Sequence, residues 1–291
     1  MRGVSQAVPN SFGTEPPKLQ APPDAADCHI HIYDPRFAPV SKRPAQSTVE
    51  DYRLLQKRIG LSRVVIVTPR NYVTDNSVTL DAIQQLGIDH ARGVAVIRPD
   101  VTDAQLKQLH EGGIRGIRFT VGNPATAVVT VDMIEPLARR IANYGWHVQL
   151  NMDTEQIVEH ASMLRGLPTQ IVFDHLGKLG LTGLPHSAFD VIRGLLDQQR
   201  AWVKISGAYM NTHIGPPTYA DATAVAQALV NAAPERLVWG SDWPHPSPEI
   251  PPDDAVLFDL LSVWAPDTAT RKRILVDNPE TLYGFPKAGN T

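Results

Sequence analysis

The chain has a single cysteine, Cys28, among 291 residues. One thiol excludes an intrachain disulfide and any multi-thiolate metal site, and it suits a reducing compartment such as the cytoplasm. No stretch approaches the roughly 20 consecutive apolar residues of a membrane span, so a soluble protein is expected. There is no basic surplus either. The formal net charge is -3, which argues against a nucleic-acid surface. The first 23 residues hold Pro9, Pro16, Pro17, Pro22 and Pro23 but no apolar run. They therefore lack the hydrophobic region of a signal peptide and read as a loose, flexible arm that a partner subunit could order. Repeats and low-complexity tracts are absent, and one domain over residues 24–291 is expected.

What is present is an ordinary globular composition, 43% hydrophobic and 20% charged. Short Val- and Ile-rich runs bounded by Gly, Pro or Asp fall at 27–32, 63–67, 93–97, 116–119, 147–151, 170–173, 202–205 and 236–239. Such runs read as buried parallel strands. Amphipathic stretches lie between them, as at 131–144, where Met133, Ile134, Leu137, Ile141 and Tyr144 recur at spacings of three and four. Others fall at 49–59, 77–86, 155–164, 189–198, 222–231, 254–263 and 268–276. Eight strand–helix units fit an α/β fold, a single (β/α)8 TIM barrel, whose usual length is about 250 residues. The alternative, an open doubly wound sheet, often shows a Gly-rich phosphate turn after its first strand. Here that strand ends in His-Ile-His-Ile-Tyr-Asp instead.

In barrel enzymes the chemistry sits at the C-terminal ends of the strands. Those ends offer His29 and His31, Thr68 and Arg70, Arg98, Arg118, Asn151, Asp174 and His175, Ser206 and Tyr209, then Ser241, Asp242 and His245. Side chains alternate along a strand, so His29 and His31 share a face while Ile30 takes the other. Two interior imidazoles cost free energy unless something uses them, which favours function over a pair of core histidines. Asp242 is the natural general base at the barrel mouth, although an Asp there also serves as a helix cap or loop brace. His175 is read as polarising a carbonyl or orienting water, and Asp174 as either orienting a histidine or capping a helix. Arg118 is read as a carboxylate clamp, since a guanidinium matches that group bidentately. Arg115, on the opposite strand face, is expected in an outer ion pair. Arg70, Tyr72, Asn151, Tyr209 and His245 are candidate substrate contacts. The other histidines, at 90, 110, 147, 160, 186 and 213, read as structural or solvated.

Four motifs, Asp-Cys-His-Ile-His-Ile, Gly-Ile-Arg-Gly-Ile-Arg-Phe, Ile-Val-Phe-Asp-His-Leu-Gly and Val-Trp-Gly-Ser-Asp-Trp-Pro-His-Pro, together resemble the amidohydrolase superfamily. The closing Asp-Asn-Pro-Glu-Thr-Leu-Tyr-Gly-Phe resembles its lactone branch, and the likeness runs from about residue 27 to 285. It implies a (β/α)8 barrel, a strand-1 His-x-His pair and a strand-8 catalytic Asp. Many members bind divalent metals through these residues plus histidines after strands 5 and 6, whereas the lactone branch works without a required metal. This chain departs from the metal pattern. Strand 5 ends in Asn151, and no strand-4 lysine is available for carbamylation. A mononuclear ion at His29, His31, His175 and Asp242 is weighed against a metal-free site, and the metal-free site is expected.

The resemblance implies a small sugar-acid lactone as partner, with neither nucleic acid nor membrane, and leaves assembly into a homo-oligomer open. The loops after strands 4 and 7 hold no second basic residue, which favours a singly carboxylated, hydroxyl-rich lactone over a pyrone dicarboxylate. The expected reaction is isomerisation of D-galactaro-1,5-lactone to the 1,4-lactone, or hydrolysis if water replaces the substrate hydroxyl. Arg118 would hold the carboxylate, His29, His31 and His175 would stabilise the oxyanion, and Asp242 would take the proton. A metal-dependent decarboxylase of the same superfamily and a non-catalytic barrel are the rival readings.

Overall fold

The computed structural model describes residues 7–39, 46–246, 248 and 250–287. Eight parallel strands follow one another in chain order: β1 (Ala26–Ile30), β2 (Arg63–Val67), β3 (Ala91–Ala95), β4 (Ile114–Thr120), β5 (His147–Asn151), β6 (Ile171–Phe173), β7 (Ala201–Ser206) and β8 (Leu237–Gly240). A parallel bridge from Ile30 to Trp243 closes the ring, with His31 N donating to Trp243 O and Asp242 N to His29 O, both at 2.8 Å. Strands buried on both faces need apolar residues at consecutive positions, which is why these runs show little polar alternation. One core fills the space between strands and helices. A second, made of Ala26, Cys28, Val65, Val67, Val94, Val172, Trp202 and Val238, fills the barrel.

The last helical segment, Asn278–Tyr283, carries Tyr283 and Phe285 under the barrel. Arg92 donates to Tyr283 O at 3.1 Å and to Gly284 O at 2.7 Å, and the Phe285 ring lies beside the Arg63 and Arg92 guanidinium groups. The helix expected to stop before Asn278-Pro279 thus resumes there. Proline is tolerated in a first helical turn, where its missing N–H has no intrahelical partner. A helix absent from the sequence reading, Asp103–Glu111, joins β3 to β4. Only Leu106 and Leu109 are buried in it, so its apolar stripe is thin, but Thr102 and Gln105 form a capping box at its start.

The arm is not loose over its described length. Trp243 Nε1 donates to Pro9 O at 2.8 Å, Arg58 binds Ser11 Oγ and the carbonyls of Phe12 and Glu15, and Asp259 accepts from the amides of Lys18 and Leu19. The barrel thus holds the arm through the carbonyls of Pro9, Phe12 and Glu15, the Ser11 hydroxyl and the amides of Lys18 and Leu19.

Candidate active site

Asp242 stands at the centre of the C-terminal mouth. Its Oδ1 lies 3.5 Å from His29 Nε2, 3.7 Å from His31 Nε2 and 3.8 Å from His175 Nε2, while Oδ2 accepts from the Tyr209 hydroxyl at 2.5 Å. The backbone is bent to achieve this. Asp242, His175, Lys178 and His245 all have positive φ, a conformation that costs energy for residues with a Cβ and tends to cluster at functional sites. Two glycines make room for the rings. A Cβ on Gly240 would come within 2.7 Å of His29 Cβ, and one on Gly207 within 2.9 Å of His175 Nδ1.

His29 is delivered by a β-bulge. Between the pairs Asp27–Val64 and Ile30–Ile66, β1 uses three residues where β2 uses two. Cys28 joins the barrel interior while His29 also meets the site, and Ile30 returns to the outer core. Asp27, under the bulge, accepts from Ser241 N, Ser241 Oγ and Tyr52 OH, tying β1 to the turn that carries Asp242. Burial outweighs these bonds and raises its carboxyl to about 7.

Burial alone would raise the Asp242 carboxyl too. His175, His29, His31 and the Tyr209 hydrogen bond overcome that and hold it well below the usual carboxylate range. Burial pushes His31 and His175 down to about 4 and holds His29 well below its ordinary value. At neutral pH the centre is therefore one carboxylate among three neutral imidazoles. His31 Nδ1 sits 2.7 Å from Val67 O, which can only accept, so the proton is on Nδ1 and Nε2 turns a lone pair toward Asp242. His175 Nδ1 lies 3.0 Å from Ser206 Oγ. Asp174 is buried with Oδ2 accepting from Arg118 Nε at 2.9 Å and Gln149 Nε2 at 3.2 Å, and with Oδ1 3.3 Å from His29 Nδ1.

Above this floor opens a cavity of about 390 Å³ lined by His31, Tyr33, Arg70, Asn71, Arg118, Thr120, Asn151, His175, Lys178, Met210 and Asp242, among others. Of the residues expected to contact substrate, Arg118, Arg70 and Asn151 line it. Tyr209 instead braces Asp242. Tyr72 is buried behind Tyr33, their ring centroids 6.2 Å apart, and His245 is buried with Nε2 3.1 Å from both Asp254 oxygens. Arg115 donates to the carbonyls of His110 and Ile114 rather than to an acid. Two lysines escaped the sequence reading. Lys178, half-buried, is a third cation in the cavity wall, with Met210 Sδ 3.8 Å from its Nζ. Lys204 lies wholly inside the barrel, bonded to Cys28 O at 2.8 Å, and burial brings it down to about 8.

The floor also suits a divalent cation. Ligand atoms of His29, His175 and Asp242 all fall within 4.8 Å of one another, and His31 Nε2 adds a lone pair. Around a four-coordinate ion with bonds of about 2.0–2.2 Å, ligand atoms stand roughly 3.3–3.6 Å apart, close to the Asp242 Oδ1 separations here.

Residues 26–285 match the family model described as amidohydrolase. The chain is 34% identical to the 4-sulfomuconolactone hydrolase of Rhizobium radiobacter, over 92% of this chain and 93% of that protein. It is 32% identical to the 2-pyrone-4,6-dicarboxylate hydrolase of Comamonas testosteroni, over 92% of each. It is also 32% identical to the D-galactarolactone isomerase of Agrobacterium fabrum strain C58, over 96% and 97%.

Proposed function

The chain belongs to the amidohydrolase family, and from that premise we propose that it catalyses acyl transfer at the carbonyl of a carboxylate-bearing lactone. The observation that carries this reading is the single carboxylate, Asp242, ringed by three imidazoles beneath a cavity with cations in its wall. Arg118 pairs with a substrate carboxylate. His175, with Ser206 donating to Nδ1, offers an Nε2 proton to the developing oxyanion. His31, whose Nε2 is a lone pair, accepts a hydrogen bond from the second O–H of an attacking water instead of polarising the carbonyl. That oxygen bonds to the carbonyl carbon and gives its proton to Asp242. The ring C–O bond then breaks, and the departing oxygen, an enolate from a pyrone or an alkoxide from a sugar lactone, takes the proton back. A strongly ionised carboxylate is a weak base at rest, so the transfer accompanies C–O bond formation, when the attacking hydroxyl becomes acidic.

The wall refines the substrate class. Missing arginines pointed toward one carboxylate, but Arg70, Arg118 and Lys178 together favour a lactone with two negative groups, opened by water. A second reading, isomerisation of a galactarolactone-type sugar-diacid lactone, draws on Thr120, Asn71 and Asn151, which suit hydroxyl recognition. There the substrate's own hydroxyl attacks, with a proximity advantage that reaches on the order of 10⁵ M or more. The reaction is read as needing no cation, because β5 supplies Asn151 where a further ligand would stand. A cation held by Asp242, His31, His175 and His29 would supply Lewis-acid polarisation and a more acidic bound water.

Proton NMR of 2-pyrone-4,6-dicarboxylate and of fresh galactaro-1,5-lactone, each with enzyme and with or without chelator, tests this. Ring opening of the dianionic lactone, unchanged by chelator, is expected. Ring-size exchange in the sugar lactone selects isomerisation. Loss of turnover on metal removal overturns the cation-free reading, and inertness toward both lactones overturns the reading as a whole.

A further inference from the structure

We propose that Lys204 is a positioning residue that sets which nitrogen of His29 carries the proton, turning His29 into a hydrogen-bond donor toward Asp242 and away from cation binding. Lys204 occupies the inward face of β7, two residues from Trp202, where barrels ordinarily place branched apolar side chains. It is fully buried, and a charge taken wholly out of water persists only where its surroundings use it. One of its protons goes to Cys28 O at 2.8 Å, and its Nζ is also 3.4 Å from His29 Nδ1.

Two groups therefore compete for His29 Nδ1: the Lys204 ammonium at 3.4 Å and Asp174 Oδ1 at 3.3 Å. With a proton on Nδ1, an N–H would abut an ammonium, and the Nε2 lone pair would face the Asp242 carboxylate 3.5 Å away. Both contacts repel. With Nδ1 accepting from Lys204, the Nε2 proton instead faces Asp242 Oδ1, and the otherwise unpartnered buried Nε2 acquires a use. The cost falls on Asp174 Oδ1, also buried without a hydrogen-bond partner, which keeps only the Lys204 ammonium 3.9 Å away, while Oδ2 accepts from Arg118 and Gln149. A metal-binding imidazole must present a lone pair at the binding nitrogen, which this arrangement denies to His29 Nε2. The inference rests on the geometry around His29 and not on the identity of the lactone.

The test uses no substrate. Long-range ¹H–¹⁵N spectra of the ¹⁵N-histidine-labelled protein, with the His29 signals assigned through His29→Asn, should show the Nε2-protonated form. An Nδ1-protonated His29 in the unaltered protein overturns the proposal without any Lys204 variant. In Lys204→Met, which keeps the volume and removes the ammonium, the proton should move to Nδ1 and face Asp174. The affinity for Zn²⁺ alone, read by calorimetry, should then rise at least tenfold. An unchanged tautomer and unchanged Zn²⁺ affinity in a folded Lys204→Met protein would also overturn it.

Discussion

At the scale of single residues, the site divides groups that react from groups that hold. Asp242 meets three imidazoles and the Tyr209 hydroxyl, so Asp242→Asn keeps the volume but loses the charge and the basicity. Its turnover should fall by on the order of 10²–10⁴, with the thermal transition little moved. Lys178→Met makes the contrast. A cavity-wall cation that binds substrate and transition state alike should raise KM by roughly 10- to 100-fold and leave kcat nearly unchanged. Steady-state kinetics and melting curves check both, and near-normal activity in Asp242→Asn sinks the base assignment. Asp242, His29, His31 and His175 were legible because residue type and strand-end position coincide. Lys204 was not, since it sits mid-strand in Trp-Val-Lys-Ile-Ser, where the apolar pattern dominates. Its inward register relative to Trp202 was the available signal. Lys178 directly follows the last glycine of the Ile-Val-Phe-Asp-His-Leu-Gly motif, on a left-handed turn that sequence periodicity does not describe.

At the scale of elements, the strand runs were readable because burial on both faces forces apolar side chains, and every strand formed within a few residues of its expected span. The β1 bulge was not readable, because alternation alone carries no sign of an inserted residue. Only the pairing with β2 shows that Cys28 and His29 both turn inward. The contacts of the N-terminal strap left no sequence signal for a similar reason, as most of them run through backbone carbonyls and amides, which composition does not register. Arg58 is the anchor: its guanidinium binds Ser11, Phe12 and Glu15 and pairs with Asp253 at 2.7 Å. Arg58→Ala should cost about 2–4 kcal/mol, because it strips a buried charged donor from several acceptors at once. Limited proteolysis should then cut within residues 7–19 well before the barrel. Equal protease resistance in the variant and the parent would mean that the strap is held by other contacts.

At the scale of the whole molecule, the barrel interior stores neutral imidazoles, and this sets its response to acid. Burial brings His31 and His175 to about 4 and His147, packed against the Tyr283 ring at the opposite end, to about 3, with His29 also well below its ordinary value. In the unfolded chain each titrates near 6.5, so between about pH 6.5 and 4 the unfolded state binds more protons and folding stability falls as pH falls. Asp27 acts in the opposite sense. Its folded carboxyl rises to about 7, so the native state binds the extra proton between about pH 3.8 and 7 and gains from acid. One carboxyl is set against four imidazoles, so the imidazoles prevail. Asp174 and Asp242, whose folded values are depressed, add their own loss only below the ordinary carboxylate range. The melting temperature should therefore decline from about pH 6.5 downward, well before carboxylates in general titrate. A melting temperature flat from pH 7 to 5 would show that the imidazoles are already charged in the native barrel. In that case Asp242 would face cations, and the oxyanion roles given to its neighbours would have to be assigned anew.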